Sequence, residues 1–121
     1  MKKRILCIDD SNTALLLLEY ALSEAGFEAL LAISVGQAIN ILESIKPDLI
    51  LLDLSMPEVS GYEFLKMRQH LKLENVPVII ISALDSQDSV AITRNLGAID
   101  FISKPIKIGP LMEKISKYLN P

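Results

Sequence analysis

Two four-residue runs, Leu49-Ile50-Leu51-Leu52 and Val78-Ile79-Ile80-Ile81, contain no polar residue at all, and each is closed by a polar one, Asp53 and Ser82. A strand with one wet face alternates apolar and polar side chains, so runs without alternation belong to strands covered on both faces. They are too short for buried helices, and Pro77 introduces the second. A chain carrying them is expected to build a sheet sandwiched between two layers, with these strands near its middle.

The rest of the chain alternates such runs with stretches of helical period, the pattern of βα units around a parallel sheet. Strands are predicted over 4–8, 27–33, 49–52, 78–81 and 100–102, the last as a short edge strand. Helices are predicted over 11–25, from 34 to the stop at Pro47, from the loop after Asp53 to about 73, over 86–96 and over 108–119. Ser11 or Asn12 and Ser34 are suited to cap helix starts, Gly26 to supply a left-handed stop, and Gly97 to stop the fourth helix. The first helix reads as presenting Ala14, Leu17, Leu18, Ala21, Leu22 and Ala25 to the core, with Leu16 and Tyr20 on the opposite side. The second presents Val35, Ala38, Ile39 and Leu42. A single α/β domain over residues 1–121 is expected, with Pro121 directly after the fifth helix and no output module expected in this sequence.

Composition excludes several classes. The 121 residues carry 12 basic and 15 acidic side chains, a net charge of −3, and the one basic cluster is Lys2-Lys3-Arg4. Nucleic acid is therefore not expected as a direct partner. Only four apolar residues follow that cluster before Asp9, against about 7 to 15 in a secretory signal, and no run approaches the roughly 20 of a membrane span. Cys7 is the only cysteine, so no intrachain disulfide forms, and it reads as strand filling in a cytoplasmic protein. With three Phe, three Tyr and no Trp, no aromatic binding platform is expected. His70 reads as a solvent-facing helix residue, and Met56 and Met67 as packing.

Asp9, Asp10, Asp53, Ser82 and Lys104 all lie at or just beyond the carboxyl ends of predicted strands. In a parallel α/β sheet those ends form the ligand crevice. Three carboxylates there offer more anionic oxygen than one Mg²⁺ needs, since that ion commonly takes one or two carboxylates together with water and phosphate oxygens. One acid is thus left over as a nucleophile, and Asp53, alone at the end of its strand, is the expected phosphoryl acceptor. Lys104 and Ser82 supply a positive charge and a hydroxyl for phosphate oxygens.

In order and spacing, Asp9-Asp10, Asp53, Met56-Pro57 with Gly61, Ser82-Ala83 and Lys104-Pro105 resemble the receiver domain of two-component response regulators, over essentially the whole chain. The resemblance implies the flavodoxin-like (βα)5 three-layer sandwich with strand order 2-1-3-4-5. It implies that Asp53 takes a phosphoryl group from a sensor histidine kinase or a histidine phosphotransfer protein. Asp10, Asp53 and the main-chain carbonyl of Ser55 would hold Mg²⁺, with Asp9 acting through water. Lys104 would pair with the phosphate, Ser82 would swing toward it, and Phe101 would turn inward. The surface of helix 4, strand 5 and helix 5 would then signal to a downstream effector protein. The Lys104–Pro105 bond is expected to be cis, a form that X-Pro bonds adopt far more readily than others.

Family variation in phosphate lifetime points to Ser55 and Leu84, and an apolar Leu84 implies slow self-dephosphorylation. Leu16 and Tyr20 are candidates for docking the histidine-bearing helices, and the domain is expected as a monomer or a phosphorylation-dependent dimer. Two other readings compete. A haloacid dehalogenase-type phosphatase would carry a second acid where Ser55 stands. A flavin-binding flavodoxin-like protein would carry a hydroxyl-rich loop where Asp9-Asp10 stand, and fold alone does not separate these functions.

Overall fold

Five parallel strands, β1 (Arg4–Ile8), β2 (Glu28–Ala32), β3 (Leu49–Leu52), β4 (Val78–Ser82) and β5 (Asp100–Ser103), alternate with five helices in the computed structural model, which describes residues 2–119. The helices are α1 (Asn12–Glu24), α2 (Val35–Leu42), α3 (Gly61–Met67), α4 (Gln87–Asn95) and α5 (Ile108–Tyr118). The strands lie in the order β2-β1-β3-β4-β5, and every neighbouring pair is parallel. This is the flavodoxin-like order, with β3 in the middle as its unbroken apolar run requires. Pro121 lies outside the described residues.

The absence of alternation in β3 and β4 has a direct structural cause. Leu6, Ile8, Ile50, Leu52, Val78 and Ile80 face one core with Val35, Ala38, Phe64 and Leu65 of α2 and α3. Ile5, Cys7, Leu49, Leu51, Ile79 and Ile81 face a second core with Leu15, Leu18 and Leu22 of α1 and Leu111 and Ile115 of α5. Burying each such side chain stabilises the fold by about 1.5–3 kcal/mol before the loss of conformational entropy is set against it. Cys7 is fully buried, and burial pushes its thiol pKa well up, which makes it inert filling rather than a nucleophile.

Ser11, Ser34, Ser60 and Ser86 each cap a helix by accepting a hydrogen bond from the backbone N–H three residues on. Gly26 and Gly97 take positive φ angles of 91° and 104° at the ends of α1 and α4, the left-handed stops expected of glycine. Three expectations are corrected. The second helix ends at Leu42, short of the stop expected at Pro47, because the N–H groups of Glu43 and Ser44 bond three residues back, to Asn40 and Ile41, and tighten the last turn. In α1 the buried face is Leu15, Leu18, Ala21 and Leu22, and Leu17 is 38% exposed. Five consecutive apolar residues from Ala14 to Leu18 leave the helical phase undetermined, and packing against Phe27 and β1 selects Leu15. In α3 the regular helix stops at Met67 instead of running to residue 73. There the Arg68 guanidinium turns back to donate to the carbonyls of Leu73, Val76 and Gly97, and Lys72 adopts a φ of 58°.

Candidate functional site

The order β2-β1-β3 makes the chain wind in opposite directions on either side of β1, and a crevice opens beyond the carboxyl ends of β1 and β3. The last rungs of the sheet deliver the site residues to that edge. Asp9 N–H donates to Ala32 O at 3.0 Å, Asp53 N–H to Ile8 O at 2.9 Å and Lys104 N–H to Ser82 O at 3.0 Å. Three backbones are therefore fixed by the ladder up to the residue whose side chain enters the crevice.

Asp9, Asp10 and Asp53 each offer a carboxylate oxygen, and these atoms lie within 4.8 Å of one another. Asp9 and Asp53 are buried and Asp10 is exposed. Lys104 answers the charge, with Nζ 2.8 Å from Asp9 Oδ2 and 3.4 Å from Asp53 Oδ2. The other oxygen of each buried acid accepts a backbone hydrogen bond, Asp9 Oδ1 from Ser11 N–H at 2.9 Å and Asp53 Oδ1 from Ser55 N–H at 3.3 Å. Ser55 itself is exposed in the loop after β3. Ser82 is fully buried at the end of β4, and its Oγ accepts from Leu84 N–H at 3.1 Å. Phe101 is half-buried against the first core and lines a narrow cleft with Val90, Thr93 and Arg94 of α4. The Lys104–Pro105 peptide bond is cis, as expected.

Burial and the neighbouring Asp9 charge raise the Asp53 carboxyl above the ordinary aspartate range, and Lys104 only partly offsets them. Burial alone would depress Lys104, but its hydrogen bond to Asp9 and the charges of Asp9 and Asp53 outweigh that and raise it. The asymmetry follows from distance, because the ammonium sits closer to Asp9. A hard divalent cation fits the donor set, since all three groups are carboxylates and one ammonium answers them.

Gly61 has a role that its place in a motif did not explain. A Cβ at this position would run into the carbonyl oxygen of Asp53 and lie 2.8 Å from Leu54 Cα. Its N–H also donates to Leu54 O at 3.1 Å. The first residue of α3 thus packs on the backbone that carries Asp53, an approach open only to glycine.

Sheet order, acid cluster and bridging lysine together define the CheY-like class of doubly wound domains. Residues 5–116 match the family model of the response regulator receiver domain, and the chain belongs to that family, the receivers of two-component systems. It is 34% identical over 119 residues to the sporulation initiation phosphotransferase F of Bacillus subtilis, covering 98% of this chain and 95% of that one. It is 31% identical over 120 residues to the polar-differentiation response regulator DivK of Brucella ovis, covering 98% of each. The chemotaxis protein CheY4 of Vibrio cholerae superposes with a TM-score of 0.92 over 98% of this chain and 100% of that one, and at 23% identity that likeness concerns the fold alone. Among the described residues no helix is long and apolar enough to cross a membrane.

Proposed function

We propose that this chain, as a single receiver domain over residues 1–121, accepts a phosphoryl group on Asp53 from the phosphohistidine of a sensor kinase or phosphotransfer protein. An Asp53 carboxylate oxygen attacks phosphorus as the donor's P–N bond breaks, and the electron pair returns to the imidazole, which takes up a proton. The observation that carries this reading is the Asp53 carboxyl at the strand end, made more basic by burial first and by Asp9 second, and within reach of the Lys104 ammonium. A more basic oxygen is the better nucleophile, and Lys104 supplies positive charge for the oxygens of the transferring group. Asp10, Asp53 and the Ser55 carbonyl would hold Mg²⁺, with Asp9 acting through water. When bound, that ion neutralises phosphoryl oxygens. Asp9 is held by the shorter contacts, 2.8 Å to Lys104 and 2.9 Å to Ser11 N–H against 3.4 Å and 3.3 Å for the corresponding contacts of Asp53, in keeping with an indirect role. Intact mass after treatment with acetyl phosphate and magnesium tests the reading, with one added phosphoryl group expected.

Once Asp53 is modified, Lys104 pairs with the phosphate, the Ser82 hydroxyl turns toward it, and Phe101 turns inward. The surface of α4, β5 and α5 changes for a downstream effector. In a cytoplasmic setting the domain acts as a monomer or as a phosphorylation-dependent dimer. Hydrolysis of the acyl phosphate needs an oriented water, and Leu84, 45% exposed beyond Ser82, has no polar group to orient it. Leu84→Glu is expected to speed loss of phosphate from the purified protein about tenfold, below the roughly hundredfold or more of a fully positioned general base because the new carboxylate only orients the water. An unchanged decay rate would remove Leu84 from the account.

Leu16 and Tyr20 are 64% and 66% exposed on α1, and Leu17 adds to the same surface. That helix starts directly after Asp9-Asp10, so a histidine-bearing helix seated on it would face the crevice. Leu16→Glu is expected to slow transfer from the kinase at least tenfold while leaving acetyl phosphate labelling unchanged. Equal loss in both assays would reject the docking role.

A further inference from the structure

We propose that Tyr62 and Ser89 form a hydroxyl latch that holds the first turn of α4 against α3 and weights the domain toward its unphosphorylated arrangement. The proposal rests on the reading of Asp53 as acceptor and of Phe101 as the residue that turns inward.

The contact joins two elements whose apolar packing is unequal. Tyr62, the second residue of α3, packs its ring on the core beside Phe64 and donates its hydroxyl to Ser89 Oγ at 3.1 Å. Ser89 in turn lies 3.1 Å from the hydroxyl of Ser86, the α4 cap, which also accepts the Ser89 N–H at 3.1 Å. By contrast α4 buries only Thr93 completely, and the Thr93 hydroxyl is spent on the carbonyls of Ser89 and Val90 within the same helix. Ile92, its largest apolar side chain, is 47% exposed. A helix with so little buried apolar surface opens at low cost, so one tertiary hydrogen bond carries a large share of what fixes its position.

The latch also lies where the response must pass. Ser82 is followed by Ala83, Leu84 and Asp85 and then by the cap Ser86, so displacement of the Ser82 hydroxyl pulls on the segment that the latch restrains. The cleft between α4 and β5, lined by Val90, Thr93, Arg94, Ala98, Asp100 and Phe101, holds about 10 Å³, barely the space of one water. An inward Phe101 ring does not fit until α4 lifts, and lifting α4 breaks Tyr62–Ser89. A bond made in one state and lost in the other shifts the equilibrium by its net worth.

The test is titration of beryllofluoride, a phosphoryl mimic, into Mg²⁺-saturated wild type, Tyr62→Phe, Ser89→Ala, Ser89→Thr and the Tyr62→Phe/Ser89→Ala double variant, followed by amide NMR. Tyr62→Phe and Ser89→Ala are each expected to bind about three- to tenfold more tightly, the range set by one net hydrogen bond. The double variant should gain no more than either single one, and Ser89→Thr, which keeps a hydroxyl, should match wild type. In the metal-free protein, Tyr62→Phe should speed hydrogen exchange of the α4 amides by a similar factor. Unchanged affinity, or additive effects in the double variant, would overturn the latch while the acceptor reading stands. A folded wild type that does not bind beryllofluoride would overturn both.

Discussion

Lys104→Ala is expected to destabilise this domain by about 2–3 kcal/mol at neutral pH in EDTA, below the roughly 3–5 kcal/mol of a fully buried ion pair because the lysine retains some contact with solvent. Lys104 Nζ is the group that faces both buried acids, 2.8 Å from Asp9 and 3.4 Å from Asp53. Without it two carboxylates face each other with no positive charge between them, and each carries its desolvation uncompensated. The pH dependence has a definite sign. The Lys104 pKa is raised in the fold, so its contribution is complete below the unfolded lysine value and is lost only as pH rises through the higher folded value. Across neutral pH the penalty of the substitution is therefore flat. It shrinks in acid, where Asp53, its carboxyl raised in the fold, takes up a proton and no longer needs a counter-charge. Millimolar magnesium should also restore part of the loss, because an ion that binds only the folded state stabilises it by mass action. Urea unfolding with EDTA or magnesium at several pH values measures all three effects. A variant as stable as wild type in EDTA would show that the lysine bridge contributes nothing.

Asp53→Asn is expected to act in the opposite direction on stability while abolishing phosphoryl uptake. The folded pKa of Asp53 is raised, by burial first and by Asp9 second, so the ionised form is disfavoured in the fold. Wild type thus loses stability as pH climbs from the unfolded aspartate value through the folded one. Asparagine keeps an oxygen for the Ser55 N–H and carries no charge. Above the carboxylate range the variant should melt a few degrees higher than wild type without metal, the response of a domain this size to about 1 kcal/mol, and the difference should vanish in acid. Acetyl phosphate with magnesium should add one phosphoryl mass to wild type and none to the variant. Labelling of the variant to the wild-type extent would move the acceptor elsewhere. A double Lys104→Ala/Asp53→Asn variant should recover part of the stability lost in the lysine variant alone, since one of the two facing charges is gone.

Some of this architecture could be read from local pattern. Runs without alternation at 49–52 and 78–81 imply strands covered on both faces, and both became interior strands of the sheet. Serine caps at 11 and 34 and the glycine stops at 26 and 97 are local chemistry, and the fold uses them all. Where pattern was degenerate it failed. The stretch from Ala14 to Leu18 fits more than one helical phase, and only the position of Phe27 and β1 against α1 chose Leu15 over Leu17. Residues 68–73 carry no strong helix breaker, and α3 ends early because Arg68 finds carbonyls that belong to distant turns.

The amino-acid order by itself determined which side chains reach the carboxyl edge of the sheet, because strand length and parallel βα connection place Asp9, Asp53, Ser82 and Lys104 at strand ends whatever the packing details. It did not determine which of them share a proton or a charge. That Lys104 leans on Asp9 more than on Asp53, that Gly61 lies against the Asp53 backbone, and that Tyr62 meets Ser89 across 27 residues were decided only when the helices docked. Local propensity acts between neighbours in sequence, whereas charge, steric exclusion and hydrogen bonding act over a few ångströms of space, and the tertiary structure alone brings those distances into being.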